Sequence, residues 1–177
     1  MSAARRKSAA RLSHVDAQGA ARMVDVSAKP VTVREAVARG RIHISRAAMR
    51  LVRAGRLRKG GVEEVARLSG ILAAKRTAEA IPLCHPLVLA HVDVDLVPRA
   101  DGFEIEARVR TEGRTGAEME ALHAVALTAL AIYDMVKAAD KRMTIGDIRL
   151  VKKSGGRSGD FVAESVALPR SLRRGKA

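Results

Sequence analysis

The sequence predicts an α+β domain with the order βαββαβ, an antiparallel sheet and helices over one of its faces, which is the ferredoxin-like arrangement. Three observations carry that prediction. Residues 91–110 alternate apolar and polar on either side of a Pro/Gly turn, the signature of a half-buried hairpin. Two longer runs, about 62–80 and 116–139, space their apolar residues as helices do. From residue 41 onward the elements then fall in the order strand, helices, strand, strand, helix, strand.

Thr32 followed by Glu35 is a capping-box pattern, and Gly40 suits a helix end, so a first short helix is expected there. Arg41–Ile44 reads as a short strand, and Ser45 as the cap of a second short helix that ends at Gly55. After Gly60 and Gly61, the helix over about 62–80 offers Val62, Val65, Leu68 and Leu72 as its apolar positions. Its small residues Ala66, Ser69, Gly70, Ala73 and Ala74 allow close packing. Pro82 and Pro86 bracket the loop Ile81-Pro82-Leu83-Cys84-His85-Pro86. In the hairpin, Val92, Val94 and Leu96 face inward, then Phe103, Ile105, Ala107 and Val109 after the turn Pro98–Gly102. The helix over 116–139 carries Leu122, Val125, Ala126, Ala129, Ile132, Tyr133 and Val136 on one stripe. Met143–Val151 reads as the last strand, followed by the glycine-rich loop Ser154–Asp160. There are no internal repeats.

Length and composition bound the function. A chain of 177 residues implies one domain, placed at 14–165 between basic tails at 1–13 and 166–177 that are too polar to order themselves. Aromatic residues are only 2%, so the core has to be aliphatic and alanine-rich. One cysteine excludes a disulfide framework and a cysteine-based zinc or iron–sulfur site. No secretory signal and no membrane-spanning run is read, so a cytoplasmic protein is expected. Net charge is +14, but the two tails hold eight of those charges, and residues 34–59 hold nine Arg and Lys against Glu35 alone. The rest of the domain is close to neutral. The outward hairpin face presents His91, Asp93, Asp95, Glu104, Glu106, Arg108 and Arg110, with none of the stacking aromatics that RNA-binding sheets of this topology use. A nucleic-acid binder is therefore the weaker alternative, and a nucleotide-binding module without turnover is the other.

Four groups of residues have the chemistry for a site. Lys152-Lys153-Ser154-Gly155-Gly156-Arg157-Ser158-Gly159 can turn backbone amides toward a phosphate, with Lys153 and Arg157 adding charge. Lys59-Gly60-Gly61 places a lysine at a helix N-terminus, where an anion binds well. In the proline-bracketed loop, His85 is a side-chain type suited to proton exchange, while Cys84 reads as a packed thiol and not as a nucleophile. Along the last helix lie Glu118-Met119-Glu120 and then Asp134-Met135-Val136-Lys137, with Asp134 and Lys137 on one face. Glu120 and Asp134 are 14 residues apart, about 21 Å along a helix, so they cannot touch the same small group of atoms: either an elongated ligand lies along the helix, or the two ends serve different sites, as sites shared between subunits would allow. The histidines His14, His43, His85, His91 and His123 show no metal-ligand spacing, and no metal site is read.

Met23–Lys29, Ala73–Thr77, Ile81–Leu87, Gly116–Leu122, Ile132–Ala138 and Lys153–Phe161, in this order, strongly resemble the cyclic pyranopterin monophosphate synthase family, the accessory protein C of molybdenum cofactor biosynthesis. The resemblance runs from about His14 to Phe161. It implies a homohexamer, a trimer of dimers, with active sites at subunit interfaces. It implies a lyase that converts 3′,8-cyclised dihydro-GTP to cyclic pyranopterin monophosphate and releases pyrophosphate. No redox cofactor is implied, and a divalent ion on the triphosphate is compatible with the reading. The resemblance gives catalytic roles to Asp134, Lys137, Lys59, His85 and Glu120, and substrate binding to Leu83, Cys84, His85, Glu118, Met119, Glu120, Lys153 and Arg157. Asp25 and Lys29 also lie in a family motif.

Overall fold

The computed structural model describes residues 18–56, 60–157 and 159–163. Both tails, together with Lys59, Ser158 and His14, lie outside the described residues. The elements are β1 (Thr32–His43), α1 (Arg46–Arg53), α2 (Val62–Lys75), α3 (Thr77–Ala80), β2 (Leu89–Arg99), β3 (Gly102–Gly113), α4 (Glu118–Val136), β4 (Thr144–Ser154) and β5 (Phe161–Val162). The strands form one antiparallel sheet in the order β2-β3-β1-β4-β5. α4 lies over β1, β3 and β4, and α2 over β2, so the expected βαββαβ fold is present.

The first element departs from the sequence reading. Thr32–Gly40 is not a helix; it is the start of the long central strand β1, which pairs with β3 on one side and β4 on the other. The local capping-box signal loses to a continuous ladder of backbone hydrogen bonds with β3 and a second, twice-bulged ladder with β4. The small residues of this strand have a packing reason. Ala36, Ala38, Gly40 and Ile42 face α4, and a Cβ on Gly40 would sit 2.6 Å from Cγ1 of Val125. β1 can run this close under α4 only because its core face is nearly bare. Gly40→Val is expected to lower stability by about 1–3 kcal/mol through overpacking, seen as a drop of several degrees in the thermal midpoint by circular dichroism.

The second departure concerns α2. Its buried residues are Val62, Ala66, Gly70, Ala73 and Ala74, whereas Val65, Leu68 and Leu72 are exposed at 43%, 66% and 48%. The helix turns its small face inward because α4 is so near: a Cβ on Gly70 would lie 2.1 Å from the Thr128 hydroxyl. The larger residues are left outside. The expected helix over 62–80 also breaks at Arg76, where Thr77 turns its hydroxyl back onto the carbonyls of Ala73 and Ala74 at 3.1 Å.

The remaining elements follow the sequence closely. Ser45 caps α1 through its hydroxyl, which accepts from the Ala48 amide at 3.3 Å. The hairpin closes with a tighter turn than expected, Ala100-Asp101, between Arg99 and Gly102. β4 extends beyond Val151 to Ser154, and Phe161–Val162 returns to pair with it, so the glycine loop is tied down at both ends. α4 is long and apolar enough to cross a membrane by length and composition, contrary to the expected absence of such a run, but it is half buried in this core.

The outward sheet face carries charge, as read, but much of it is neutralised in place. Arg39 donates to Glu106 at 2.6 Å, Arg99 to Glu104 at 2.7 Å and Arg41 to Asp101 at 2.8 Å. Arg67 of α2 reaches the Val94 carbonyl on the outer edge of β2 and lies 3.6 Å from Asp95.

Candidate active site

Where the first turn of α4 meets the glycine loop, a cleft of about 550 Å³ opens. The proline-bracketed loop supplies Leu83, Cys84 and His85; α4 supplies Glu118, Met119 and Glu120; the end of β4 and its loop supply Lys153 and Arg157. Eight residues proposed from sequence to bind substrate thus surround one cavity, although they come from three separate parts of the chain.

Glu120 is the most perturbed group there. It is 3% exposed, and burial, reinforced by the nearby charge of Glu118, raises its carboxyl from 4.5 to about 7. A carboxyl in that range can both hold and release a proton at neutral pH. Burial, and then the charge of Glu120, also raises the Cys84 thiol, which keeps it protonated and agrees with its reading as a packed residue. Lys153 Nζ lies 3.8 Å from Glu118 Oε1, so lysine and carboxylate face each other across the rim.

The cleft also contains residues that sequence reasoning missed: Val24, Val26, Arg34 and Arg114. Lys29, which the family motif only suggested, lines it as well. Arg34 Nε donates to the Gly113 carbonyl at 3.0 Å, and its guanidinium lies where a Cβ on Gly156 would have to go. Gly155 and Gly156 have φ of 83° and 80°, and a Cβ on Gly155 would meet the Val33 carbonyl at 2.3 Å. The glycines therefore let the loop lie flat on β1 with Arg34 above it. Reading 32–40 as a helix hid this, because only strand pairing puts Arg34 opposite the loop. The N-terminal segment is held by a turn from Lys29 N to Val26 O at 3.0 Å and by Arg114 Nε donating to the Lys29 carbonyl at 3.0 Å. Asp25 accepts from the Ser27 amide at 2.8 Å, which holds its carboxyl below the usual range.

The glycine loop is not wholly a free phosphate nest. The Gly155 amide is already bonded to Asp160 Oδ1 at 3.2 Å. The anion-binding capacity of the cleft rests on Lys29, Arg34, Arg114, Lys153 and Arg157, set against Glu118 and Glu120.

Asp134 and Lys137 do not reach this cleft. They pair with each other at 2.7 Å on the exposed far end of α4, where the carboxylate raises the Lys137 ammonium. Lys59 lies outside the described residues, so its place in either cluster is not described. Among the described residues no three His, Cys, Asp or Glu side chains gather as a metal-ligand group. Half-buried His123 bonds the Thr77 hydroxyl at 3.2 Å, and so lies against α3.

A split βαββαβ sheet carrying a cation-rimmed cleft with a buried, neutral-range carboxyl has the groups that acid–base chemistry on a small anionic molecule requires. Residues 23–156 match the model of the MoaC family, and the chain belongs to that family. Similar curated proteins are named cyclic pyranopterin monophosphate synthase. The one from Parvibaculum lavamentivorans is 56% identical over 158 residues, 88% of this chain and 99% of that protein. The one from Dinoroseobacter shibae is 57% identical over 155 residues, 86% and 98% of the two chains. The one from Chloroflexus aggregans is 58% identical over 158 residues, 88% and 96%. The chain is an enzyme of the lyase class.

Proposed function

We propose that this enzyme carries out the reaction for which those relatives are named, in molybdenum cofactor biosynthesis. It takes 3′,8-cyclised dihydro-GTP, breaks a C–N bond of the guanine-derived ring and closes the pterin. A ribose-derived hydroxyl oxygen then displaces pyrophosphate from the α-phosphorus to form the cyclic monophosphate. The observation that carries this reading is the pairing of Glu120 with a rim of five cations in one cleft. The cations neutralise a triphosphate, and Glu120 and His85 exchange protons with the ring. Leu83, Cys84 and Met119 provide the apolar wall against which the bicyclic ring rests.

The Asp134–Lys137 pair completes the site from a second subunit in this proposal. The helix rise keeps the pair about 21 Å from Glu120 of its own chain, so a shared site is the arrangement that lets both act on one molecule. The exposed stripe Val65, Leu68 and Leu72 on α2 is the kind of surface that a homohexamer, assembled as a trimer of dimers, would cover. Lys59, next to Gly60 and Gly61, would act on the triphosphate with Lys153. The enzyme works in the cytoplasm, needs no redox cofactor and acts on no nucleic acid. Incubating the purified chain with the cyclised nucleotide should yield cyclic pyranopterin monophosphate and one equivalent of pyrophosphate by mass spectrometry. Substrate that binds and returns unchanged would instead make the protein a nucleotide-binding module.

A further inference from the structure

Helix α1 carries three arginines in one stripe, in contrast with the neutralised charge of the outward sheet face and α2. Arg39, Arg41, Arg67, Arg99 and Arg108 each face a carboxylate within 4.0 Å. On α1, Arg46, Arg50 and Arg53 are all exposed, and among the described residues no carboxylate pairs with any of them. Arg53 donates only to the backbone carbonyl of Arg99, at 2.9 Å. Their spacing of i, i+4 and i+7 puts them on one face. Arg50 and Arg53 stand in the last turn, where cations suit the helix dipole, but the start of the helix is less well served. Arg46 stands at the positive end of the helix dipole, Arg46 and Arg50 repel at i, i+4, and the first turn contains no acid. A two-turn helix buries only Ala48 and Met49 in return.

The stripe adjoins more positive charge. Asp140, 8% exposed, accepts from the Ser45 amide at 2.8 Å and from the Arg142 amide at 2.9 Å. That clamp holds the turn after α4 against the start of α1, and so sets exposed Lys141 and Arg142 beside the arginines. The carboxylate of Asp140 is taken up by these two amides, and that of Asp134 by Lys137 at 2.7 Å. This corner of the molecule thus carries Arg46, Arg50, Arg53, Lys137, Lys141 and Arg142, and its carboxylates are already engaged: Asp140 by the two amides, Asp134 by Lys137 and Asp101 by Arg41 at 2.8 Å.

We propose that this corner is an electropositive approach surface that draws the substrate in by its polyphosphate and brings it to the shared site from the Asp134–Lys137 side. The inference rests on the shared-site reading above, in which that pair meets the substrate. The arginines do not contact the reacting atoms; they raise the local concentration of a polyanion over a Debye length.

The test compares two variants with the same change in net charge. Arg46→Glu/Arg50→Glu changes exposed side chains that pair with no carboxylate among the described residues; the acid at position 46 suits the helix N-terminus, and circular dichroism on the variant checks that the fold is kept. Lys75→Glu/Arg110→Glu changes two exposed cations elsewhere. At about 20 mM ionic strength, where the Debye length is roughly 20 Å, the α1 variant should lose about tenfold in kcat/KM through KM, with kcat held. At about 0.5 M salt it should rejoin the unaltered enzyme within about twofold. The control variant should change less than about threefold at either salt. Equal behaviour of the two variants, or a loss that persists at high salt, overturns the proposal. Inorganic tripolyphosphate binding, followed by calorimetry on the full chain, tests the surface apart from the reaction. The α1 variant should weaken it at low salt alone, even if no pterin is ever formed. Unaltered tripolyphosphate binding would sink the surface whatever the chemistry proves to be.

Discussion

Asp134→Asn is expected to reduce turnover by about 10²–10⁴-fold, the usual worth of a positioned acid or base. Lys137→Ala should do the same. Fold and assembly should persist, because both side chains are about half exposed and pair chiefly with each other. The sharper outcome comes from mixing. Asp134→Asn subunits retain a complete cleft, and Glu120→Gln subunits retain a complete Asp134–Lys137 pair. If each site draws one cluster from each of two chains, random co-assembly restores an intact combination at roughly a quarter of the sites. Each variant alone stays inactive, so the recovered activity is read against a zero baseline. Mixtures no more active than their parents would place both clusters on a single chain's chemistry and end the shared-site reading. Near-normal turnover in Asp134→Asn would end the catalytic assignment itself.

Glu120→Gln should have the second largest effect, on pH dependence as well as rate. In the unfolded chain this carboxyl releases its proton near 4.5, whereas in the cleft it holds it until about pH 7. Between those values the folded state binds more protons than the unfolded state, so stability falls as pH rises from 4.5 to 7. The total fall is on the order of 3 kcal/mol, at 1.36 kcal/mol for each unit of raised pKa. Gln cannot ionise. Its denaturation midpoint should lose that slope, and the variant should gain relative stability above pH 7. The kcat/KM profile should lose its limb near pH 7 at the same time. A slope that persists in Glu120→Gln would show that another group titrates there.

The hairpin, α4 and the capped start of α1 were legible because their signals are local: alternation, a 3.6-residue stripe and a serine in the cap position. β1 was not, because its identity is settled by partners 60 to 120 residues away. Its sparse core-facing side chains answer to α4 and not to a strand propensity. The wrong face of α2 has a related cause. Hydrophobic size suggested Val65, Leu68 and Leu72 as the core, but the permitted distance to α4 selected Gly70 and the alanines. Site residues inside compact motifs, such as Cys84-His85 and Met119-Glu120, were visible as groups. Arg34 and Arg114 were not, since each enters the cleft through strand pairing or a single bond to a distant backbone carbonyl. The glycine loop was read as freer than it is, because nothing in the string assigns the Gly155 amide to Asp160.

α4 begins with a buried glutamate and ends with an exposed ion pair, and its glycine- and alanine-lined contacts clamp it between β1 and α2. It therefore works as a ruler. The fourteen-residue step from Glu120 to Asp134 fixes both the pitch, about 21 Å, and the angular offset, about 40°, between one chemical group and the next. In a ring of copies, that spacing would become the period at which sites repeat. A single inserted residue would swing Asp134 by about 100° around the axis and put every site in the ring out of register at once, with each cluster still intact on its own.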